Sequence, residues 1–532
     1  MRMEPGVLVS SPANTWKRDI MAKYQTLGAL LERRAATYAE KTYLYWKDEE
    51  VSYAEFNRRV NQVANGLLAA GVHQGEKVAL LLTNCPEFLY AFFACARLGT
   101  VVVPVNPQLK AEEVQYILDN CEAGALLAAP QFASLIGAIA SHCPALRTTW
   151  YTGAQNDESR RVFDEFWQQP STAPEARIAP TDALSIIYTS GTTGQPKGVL
   201  LSHANYDYDS DTFAEACQAT ELDRLLCILP LFHVNAQVAS MLCSLRCGAS
   251  LVLLEGFSPR EFLPALARYK VSSFSGVPTV YSILNNLPDA EAYDLSSLRV
   301  CICGAAPMPV EVFNEFERKY KAFLLEGYGL SEGTCVSTLN PLDGRPRKIG
   351  SIGVALRGQE IKIVDDQDHE VPVGQIGEIV IRGSNVMQGY YRNEKATRMT
   401  LRNGWLHTGD LGRVDDEGYF SITGRKKEMI IRGGENIYPK EVEEVLYRHP
   451  AIQEAAVVGL PDPIWGEEVA AFLILRTGYE CSPEEVITYC KEHLANYKCP
   501  RIVQYVDSFP KTAMGKIQKN RLVESKARDE TR

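Results

Sequence analysis

The sequence predicts an α/β fold in which helices cover more than one parallel sheet. Short apolar, β-branched runs at residues 78–82 and 100–105 flank a helical segment at residues 87–98. Strand, helix, strand is the signature of a βαβ unit, and such units build parallel sheets covered by helices. The same alternation recurs along the chain, and we find no internal repeat in it.

The predicted elements follow an amino-terminal arm. Residues 1 to about 25 show no clear period, whereas residues 26–46 predict an amphipathic helix followed by a strand, and residues 52–70 show helical spacing again. Further apolar runs predict strands at residues 125–129, 148–151, 225–229, 250–254, 272–275 and 298–302. The architecture therefore needs more than one sheet.

The sequence changes in character twice in its second half. From residue 349, short strands alternate with Gly and Pro turns, which predicts a β-rich subdomain. Beyond residue 425, about a hundred residues carry helices and strands of their own, enough for a small α+β domain. We therefore expect an N-terminal domain over residues 1–424 and a mobile C-terminal domain over residues 425–532.

Length and composition limit the class of protein. At 532 residues the chain is too long for one ordinary core, and its 46% of hydrophobic residues is typical of a globular protein. A formal net charge of -10 and a pI near 5.5 provide no strong basic field, so no nucleic-acid partner is expected. Any bound anion must be held by local donors.

Cysteine usage and apolar stretches bear on location. The 14 cysteines are scattered without a CxxC pair, which fits neither a zinc site nor a disulfide scaffold, so we expect reduced, mostly buried thiols in a cytoplasmic protein. No stretch reaches about 18 apolar residues without a charge or helix breaker, so neither secretion nor a transmembrane segment is indicated. The sequence is compatible with a homodimer and leaves the oligomeric state open.

The stretch at residues 188–200, YTSGTTGQPKGVL, follows an apolar run at the point where a strand leads into a loop. Its glycines allow the backbone to approach a ligand closely, while its amides, hydroxyls and one cation supply donors for an oxyanion. The candidate ligand-binding residues are Thr189, Ser190, Gly191, Thr192, Thr193, Gly194 and Lys197. A polyphosphate fits these donors, and the alternative is an ordinary Gly/Ser/Thr surface turn.

The spacing of this loop differs from that of the commoner phosphate binder. A P-loop requires GxxxxGK[ST], whereas GTTGQPKG places Pro196 before the lysine and a glycine after it, so a Walker-type kinase or GTPase is not expected. The loop instead resembles the phosphate-binding signature of the adenylate-forming enzymes, which include acyl-CoA synthetases, nonribosomal adenylation domains and luciferases.

Two further motifs are candidate adenine sites. In CICGAAP, a strand ends in Gly304, Ala305 and Ala306, and a flat ring can lie against such small residues. The alternative is a tight turn that needs small residues for packing. In the adenylate-forming family this turn packs on adenine.

The second motif, EGYGLSE, offers an aromatic face followed by a hydroxyl and a carboxylate. Resemblance to the family implies that Tyr328 stacks on adenine, Ser331 contacts the α-phosphate and Glu332 holds Mg²⁺. The motif as a whole comprises Glu326, Gly327, Tyr328, Gly329, Ser331 and Glu332. Many members of the family have threonine in place of Ser331, and this chain keeps the hydroxyl.

His233 lies in LPLFHVNAQV, between a strand end and a mixed stretch. Taken alone, a histidine there is more often a structural residue than a catalytic one. The family places the histidine of this PxFH motif between the carboxylate substrate and the acyl tunnel, which makes His233 a catalytic candidate by resemblance.

The last motifs lie around the predicted domain boundary and the C-terminus. A carboxylate can accept both ribose hydroxyls and an arginine can bridge ribose and phosphate, which are the roles that the family match implies for Asp410 and Arg425. Lys427 occupies the family's hinge position. Gly433 and Gly434 would let a narrow pantetheine chain pass, the alternative being a GG turn between strands.

Lys516 lies in FPKTAMGKIQK near the C-terminus. Taken alone it would be an ordinary surface lysine. Its resemblance to the family's PKxxxGKI signature makes it the candidate that bridges the carboxylate oxygen and the α-phosphate during adenylation.

The motifs occur in family order, and the sequence around them fits the family from about residue 26 to residue 522. The chain therefore resembles an AMP-forming acyl-CoA synthetase and is most similar to fatty-acid–CoA ligases. This resemblance implies two steps that use ATP, Mg²⁺ and coenzyme A. An acyl-adenylate forms with release of pyrophosphate, and the CoA thiolate then displaces AMP. The small-molecule partner is a carboxylic acid, for which we expect a medium- or long-chain fatty acid.

One departure from the family pattern leaves the acyl group open. Some long-chain enzymes have a tryptophan gate four residues after the motif histidine, and this chain has Gln237 there. The alternatives are therefore a ligase for an aryl or other polar carboxylate, a ligase that loads a carrier protein, and an inactive nucleotide-binding protein.

Overall fold

The fold is known from a computed structural model, which describes residues 24–153, 160–189, 195–306, 308–511 and 517–529. The predicted amino-terminal arm lies, up to residue 23, outside the described residues. The first strands are β1 (Thr42–Trp46), β2 (Glu49–Ser52), β3 (Lys77–Leu81), β4 (Val101–Pro104), β5 (Ala123–Ala128), β6 (Thr148–Tyr151), β7 (Arg161–Val162), β8 (Ala183–Thr189), β9 (Lys197–Ser202), β10 (Arg224–Cys227), β11 (Ser250–Leu253), β12 (Ser273–Gly276), β13 (Val300–Cys303), β14 (Phe323–Tyr328), β15 (Thr338–Leu339) and β16 (Val354–Ala355).

These strands form two sheets that are mainly parallel. One has the order β16-β15-β14-β13-β12-β10-β11-β1-β2, and the other contains β9-β8-β4-β3-β5-β6-β7. The helices between them are α1 (Leu27–Thr37), α2 (Tyr53–Ala69), α3 (Pro86–Leu98), α4 (Ala111–Cys121), α5 (Ala133–Ile139), α6 (His203–Ala216), α7 (Cys243–Cys247), α8 (Pro259–Tyr269), α9 (Pro278–Asn285) and α10 (Val310–Tyr320). The predicted α/β architecture with more than one sheet is confirmed.

Helix α3 shows how the sequence determines one of these helices. Pro86 occupies its first turn, where a missing N–H costs nothing, and Gly99 ends it with a left-handed φ of 70°. Nearly all of its residues are buried, and its apolar side chains belong to the same core cluster as residues of both sheets. A helix that is apolar all round is a core helix.

The β-rich region forms a third sheet. Its strands are β17 (Glu360–Val364), β18 (Gly377–Arg382), β20 (Leu401–Arg402), β21 (Trp405–Val414) and β22 (Phe420–Arg425), with β19 (Gly389–Tyr390) and α11 (Glu394–Thr400) between β18 and β20. The order is β17-β18-β21-β20 with β22 paired to β21, and every pairing is antiparallel. Strand β19 is not part of this sheet: it pairs with β9 at the edge of the second of the two mainly parallel sheets.

The C-terminal region has its own sheet and its own core. It contains β23 (Ile430–Arg432), β24 (Glu435–Ile437), α12 (Pro439–Tyr447), β25 (Ile452–Asp462), β26 (Gly466–Leu475), α13 (Pro483–His493), β27 (Ile502–Tyr505) and α14 (Lys519–Asp529). Within the described part of the chain, the apolar clusters on its sheet consist of residues from Ile430 onward. The predicted small C-terminal domain is confirmed, whereas its mobility and the boundary between residues 424 and 425 stay predictions.

The thiols and the helices agree with the sequence-based expectations. The 14 cysteines are all free, and all but Cys85, Cys247 and Cys481 are buried. Among the residues that the structure describes, no helix is long and apolar enough to cross a membrane. Cytoplasmic location and a homodimer stay predictions.

Candidate active site

A cleft of about 280 Å³ lies where the ends of β13 and β14, the β-rich sheet and the C-terminal domain meet. The C-terminal domain reaches it directly, because the Lys440 ammonium donates to the carbonyl of Ile422 on β22 at 2.8 Å. Predicted nucleotide-site residues that line the cleft are Ala305, Ala306, Glu326, Gly327, Tyr328, Gly329, Asp410 and Arg425. The structure thus brings together motifs that are far apart in sequence.

The centre of the cleft is a chain of three polar side chains. The Tyr328 hydroxyl donates to Asp410 Oδ2 at 2.6 Å, and Arg425 Nε lies 2.8 Å from Asp410 Oδ1. Asp410 and Arg425 are opposite each other across β21 and β22, so backbone pairing sets their separation. Both carboxylate oxygens already have partners in the protein, and each still has a lone pair for a ligand hydroxyl.

Burial and charge control the protonation of this chain. Burial raises the pKa of Tyr328 well above its usual value, and the nearby Asp410 carboxylate acts in the same direction. The Asp410 carboxylate likewise raises the pKa of Arg425. The phenol is therefore neutral and can donate, while the guanidinium stays charged beside the cleft.

The small-residue turn lies at the carboxyl end of β13, as predicted. A Cβ on Gly304 would lie 3.5 Å from the carbonyl oxygen of Gly327 and 4.0 Å from Asn235 Nδ2, and Ala305 has a φ of 69°. At Gly329 a Cβ would lie 1.6 Å from the carbonyl oxygen of Cys335. Packing of the chain against itself thus requires glycine at position 329, and a ligand is not needed to explain it.

Glu326 is a buried carboxylate in the cleft wall. Its Oε2 accepts the Gly350 N–H at 3.0 Å. Burial raises the pKa of Glu326 to about 7, while the Gly350 N–H and the charge of Lys440 act in the opposite direction. Glu326 is therefore a group that titrates near neutral pH inside the cleft.

Glu332 lies outside the cleft lining and contacts a residue that the sequence analysis missed. The Tyr390 hydroxyl donates to Glu332 Oε1 at 2.7 Å, and Lys197 Nζ lies 5.0 Å from the centre of the Tyr390 ring. Tyr390 lies on β19, which pairs with β9, and β9 begins at Lys197. The short strand thus brings the predicted metal ligand and the lysine of the predicted phosphate loop to one place.

His233 is partly buried, and its Nε2 is a buried atom with no hydrogen-bond partner among the residues that the structure describes. Burial lowers the pKa of His233 to about 4, so the ring is neutral near pH 7. Asn235 lies two residues after His233, and its Oδ1 accepts a hydrogen bond from the Ser275 hydroxyl at 2.9 Å. His233 does not line the cleft described above.

Gln237, at the position of the family's gate, is fully buried and bonded within the protein. Its Oε1 accepts the Tyr206 hydroxyl at 2.7 Å, and its Nε2 donates to the carbonyl of Leu231 at 2.8 Å. It lies in a π-helical turn, Ala236–Leu242, a rare structure that is frequent at functional sites. The amide therefore fixes the turn internally.

The paired glycines form the tip of a hairpin. Arg432 and Glu435 are paired, so Gly433 and Gly434 are the two turn residues, with φ of 59° and 89°. Positive φ at both positions is what a tight two-residue hairpin requires. A Cβ on Gly433 would also lie 2.8 Å from the Trp465 ring. The GG turn between strands, the alternative weighed above, is therefore present.

Several predicted residues are not tested by this geometry. Thr189 ends β8 and Ser331 begins a short 3₁₀ turn, while Lys427 follows β22. Their roles stay predictions. The predicted residues Ser190, Gly191, Thr192, Thr193, Gly194 and Lys516 lie outside the described residues.

Comparison with known proteins identifies the class. The model of the AMP-binding enzyme family matches residues 31–391, and the model of the AMP-binding enzyme C-terminal domain matches residues 441–516. The fold and the sequence are those of the adenylate-forming superfamily, and the chain belongs to its AMP-binding enzyme family. The expected enzyme class, an acyl-CoA synthetase, is confirmed at the level of that family.

Three curated relatives and one solved structure illustrate the range of the family. A putative acyl-CoA synthetase, YngI, of Bacillus subtilis (strain 168) is 36% identical, covering 94% of this chain and 97% of its own. Feruloyl-CoA synthase of Amycolatopsis sp is 36% identical, with coverages of 93% and 98%. A long-chain-fatty-acid–CoA ligase of B. subtilis is 34% identical, with coverages of 94% and 94%. The crystal structure of the anthranilate CoA ligase AuaEII in complex with anthranoyl-AMP superposes with a TM-score of 0.90 at 32% identity, covering 96% of this chain and 98% of that one.

Proposed function

We propose that the chain is an ATP-dependent carboxylate–CoA ligase that forms an acyl-adenylate and then an acyl-CoA. The observation that carries the proposal is the bonded chain of Tyr328, Asp410 and Arg425 in a cleft that the C-terminal domain also lines. A buried carboxylate paired with a fixed guanidinium matches the needs of a ribose next to a phosphate.

In the first step, a carboxylate oxygen of the acid attacks the α-phosphorus of ATP, and the bond from that phosphorus to pyrophosphate breaks. Two anions must approach each other, so the site has to offset charge with fixed donors. We assign this role to Lys516, Lys197 and the hydroxyls and amides of the 189–194 loop. His233, neutral near pH 7, would lie beside the acyl carboxylate without adding charge.

In the second step, the CoA thiolate attacks the acyl carbonyl carbon, and the bond to the AMP oxygen breaks. No enzyme nucleophile is required. We propose that the C-terminal domain turns about Lys427 between the steps, withdraws Lys516 and presents the Gly433–Gly434 hairpin tip to the pantetheine chain.

The residues around Glu332 fit a magnesium ion. Magnesium in nucleotide sites is held by one or two carboxylates together with substrate phosphates, and Glu332 is a partly exposed carboxylate beside the strand that follows the predicted phosphate loop. When bound, the ion would neutralise charge on the phosphates. Tyr390 orients the carboxylate by bonding one oxygen, Oε1.

For the acyl group we propose a medium- or long-chain fatty acid, in line with the relative that is a long-chain-fatty-acid–CoA ligase. An aryl carboxylate is the second candidate, because the feruloyl-CoA synthase relative is 36% identical to this chain and the anthranilate CoA ligase structure 32%, against 34% for the long-chain-fatty-acid–CoA ligase. Gln237 is bonded internally, so it favours neither class by itself.

The test is release of AMP from purified protein with Mg-ATP, CoA and a panel of acids of increasing chain length together with aryl and dicarboxylic acids. We expect AMP and pyrophosphate in equal amounts with at least one fatty acid. AMP formation with aryl acids alone would support the second candidate. No AMP with any acid, together with no acid-dependent exchange of pyrophosphate into ATP, would contradict the proposal as a whole.

A further inference from the structure

Strand β21 contains a bulge immediately before the nucleotide site. Glu378 pairs with Leu411 and Val380 pairs with His407 across β18 and β21. One residue of β18 therefore faces three residues of β21, residues 408–410. Bulges re-aim a side chain and are frequent next to active sites. This bulge ends at Asp410, the carboxylate at the centre of the cleft.

A bulge leaves backbone groups without partners in the ladder, and a buried N–H without a partner is costly. Here the Gly409 N–H donates to Glu378 Oε1 at 3.0 Å, and the Gly409 carbonyl accepts the Lys426 N–H at 2.9 Å. Gly409 has a φ of 73°, the left-handed region that favours glycine. Both polar groups of the bulged glycine are thus bonded.

Thr408 holds the other side of the bulge. Its hydroxyl donates to the carbonyl of Ile379 at 2.7 Å and accepts the Asp410 N–H at 3.1 Å. Side chains therefore bond the N–H groups of both the bulged glycine and Asp410, so Asp410 leaves the bulge in a fixed direction.

Glu378 faces basic side chains on three sides. Its Oε2 lies 3.4 Å from Lys426 Nζ, 3.4 Å from His407 Nδ1 and 3.8 Å from Arg402 Nη2. Its side chain is only 6% exposed and does not line the cleft. Although burial acts in the opposite direction, His407, the Gly409 N–H and Lys426 hold the pKa of Glu378 below its usual value.

We propose that Glu378 is a positioning residue for the nucleotide site, because it fixes the β21 bulge and so aims Asp410 at Arg425. The inference rests on the proposed function, in which that pair binds the ribose. Glu378 acts on one side of the bulge through Gly409. It also holds Lys426, the residue that follows Arg425, so one carboxylate ties both strands that carry the pair.

The decisive comparison is Glu378→Met with Glu378→Gln. Both variants remove the charge and keep the length of the side chain, but only Gln keeps an acceptor for the Gly409 N–H. We expect Glu378→Met to raise the Kd for AMP about tenfold and Glu378→Gln less than about threefold, measured by isothermal titration calorimetry. Glu360→Gln, which removes an exposed partner of Arg382 on the same sheet, is the control and should leave the Kd unchanged.

Equal losses of affinity in Glu378→Met and Glu378→Gln would overturn the proposal, because charge rather than the bond to Gly409 would then be responsible. Asp410→Asn is measured alongside. If it weakens AMP binding and Glu378→Met does not, the Glu378 inference alone fails. If Asp410→Asn has no effect, the nucleotide site itself is wrong and the inference falls with it.

Thr408→Val provides a second route if Glu378→Met does not accumulate as folded protein. It removes the other side-chain tie of the bulge without touching a buried charge, and we expect the Kd for AMP to rise about threefold or more. An unchanged Kd for AMP in folded Thr408→Val would contradict a role for the bulge in nucleotide binding.

Discussion

The two sides of the cleft are built differently. On the large-domain side, Tyr328, Asp410 and Arg425 are joined by contacts of 2.6 and 2.8 Å between strand positions. On the C-terminal side, long charged side chains provide the contacts: Lys519 lies 2.7 Å from Glu443 and 3.5 Å from Glu428. Strand pairing holds the first side in one arrangement. On the second side the ion pairs of Lys519 join residues 428, 443 and 519 to one another, which is compatible with the proposed rotation of the C-terminal domain as a unit.

This difference predicts which measured property changes when each side is mutated. Variants on the large-domain side should change nucleotide affinity or the protonation of the cleft. Variants on the C-terminal side or at the connection should separate the two half-reactions.

Lys516→Ala should slow adenylation by roughly 10² to 10³, the loss typical of one electrostatic donor, while thioester formation from preformed acyl-adenylate survives. Rapid-quench measurement of each half-reaction distinguishes the two rates. Lys511→Ala is the matched control, because this lysine lies at the base of the same segment and pairs with Glu454 at 2.6 Å. Equal damage to both half-reactions in Lys516→Ala would show that the C-terminal side does not separate the steps.

Glu326→Gln should change how stability depends on pH. The pKa of Glu326 is raised to about 7 in the folded protein. The wild type is therefore stabilised by the protonated carboxyl at low pH and loses this stabilisation as the pH rises from the usual carboxyl range through 7. The variant has no carboxyl to deprotonate, so its stability does not fall in this way. We expect the free energy of unfolding of the variant relative to the wild type to rise by roughly 3 kcal/mol between pH 4.5 and pH 8.

Urea unfolding at a series of pH values measures this difference. Glu315→Gln on α10 is the control, since it removes an exposed carboxylate that pairs with Arg318. A difference between Glu326→Gln and the wild type that is the same at every pH would mean that Glu326 does not titrate near neutrality.

Lys427→Pro should slow thioester formation about tenfold more than adenylation, because proline fixes φ at the proposed hinge and restricts the residue before it. Stopped-flow measurement of the two steps tests this expectation. Lys427→Ala removes the same side chain and keeps the backbone free, so it should leave the ratio of the two rates near the wild-type value. If the ratio of the two rates changed in Lys427→Ala and not in Lys427→Pro, the hinge would not be at Lys427.

The sequence alone was sufficient to predict the order of the elements and the residues on the large-domain side of the cleft. Local patterns predicted the strands around α3, and family motifs predicted that Tyr328, Asp410 and Arg425 belong to one site. The structure adds how they meet: Asp410 is 82 residues from Tyr328, and its direction depends on a bulge that no local pattern announces.

Other features could not be predicted because they depend on non-local contacts. Tyr390 bonds Glu332 from 58 residues away, and only the pairing of β19 with β9 brings them together. Gln237 is held by Tyr206, which lies 31 residues away in sequence. In each case the partner is known only once the chain has folded, although the GYY sequence at residues 389–391 was a visible signal for an aromatic contact.

The pairing of β19 with β9 has a consequence for synthesis of the chain. On its outer edge β9 pairs through Leu200 with Gly389 and through Val199 with Tyr390. Nearly two hundred residues must therefore emerge from the ribosome after β9 before β19 is available to pair with it. Contacts so distant in sequence form late, since the intervening loop must close first. Until then β9 is an open edge next to the candidate phosphate loop, and a nascent chain arrested before residue 389 would expose it to pairing with other strands.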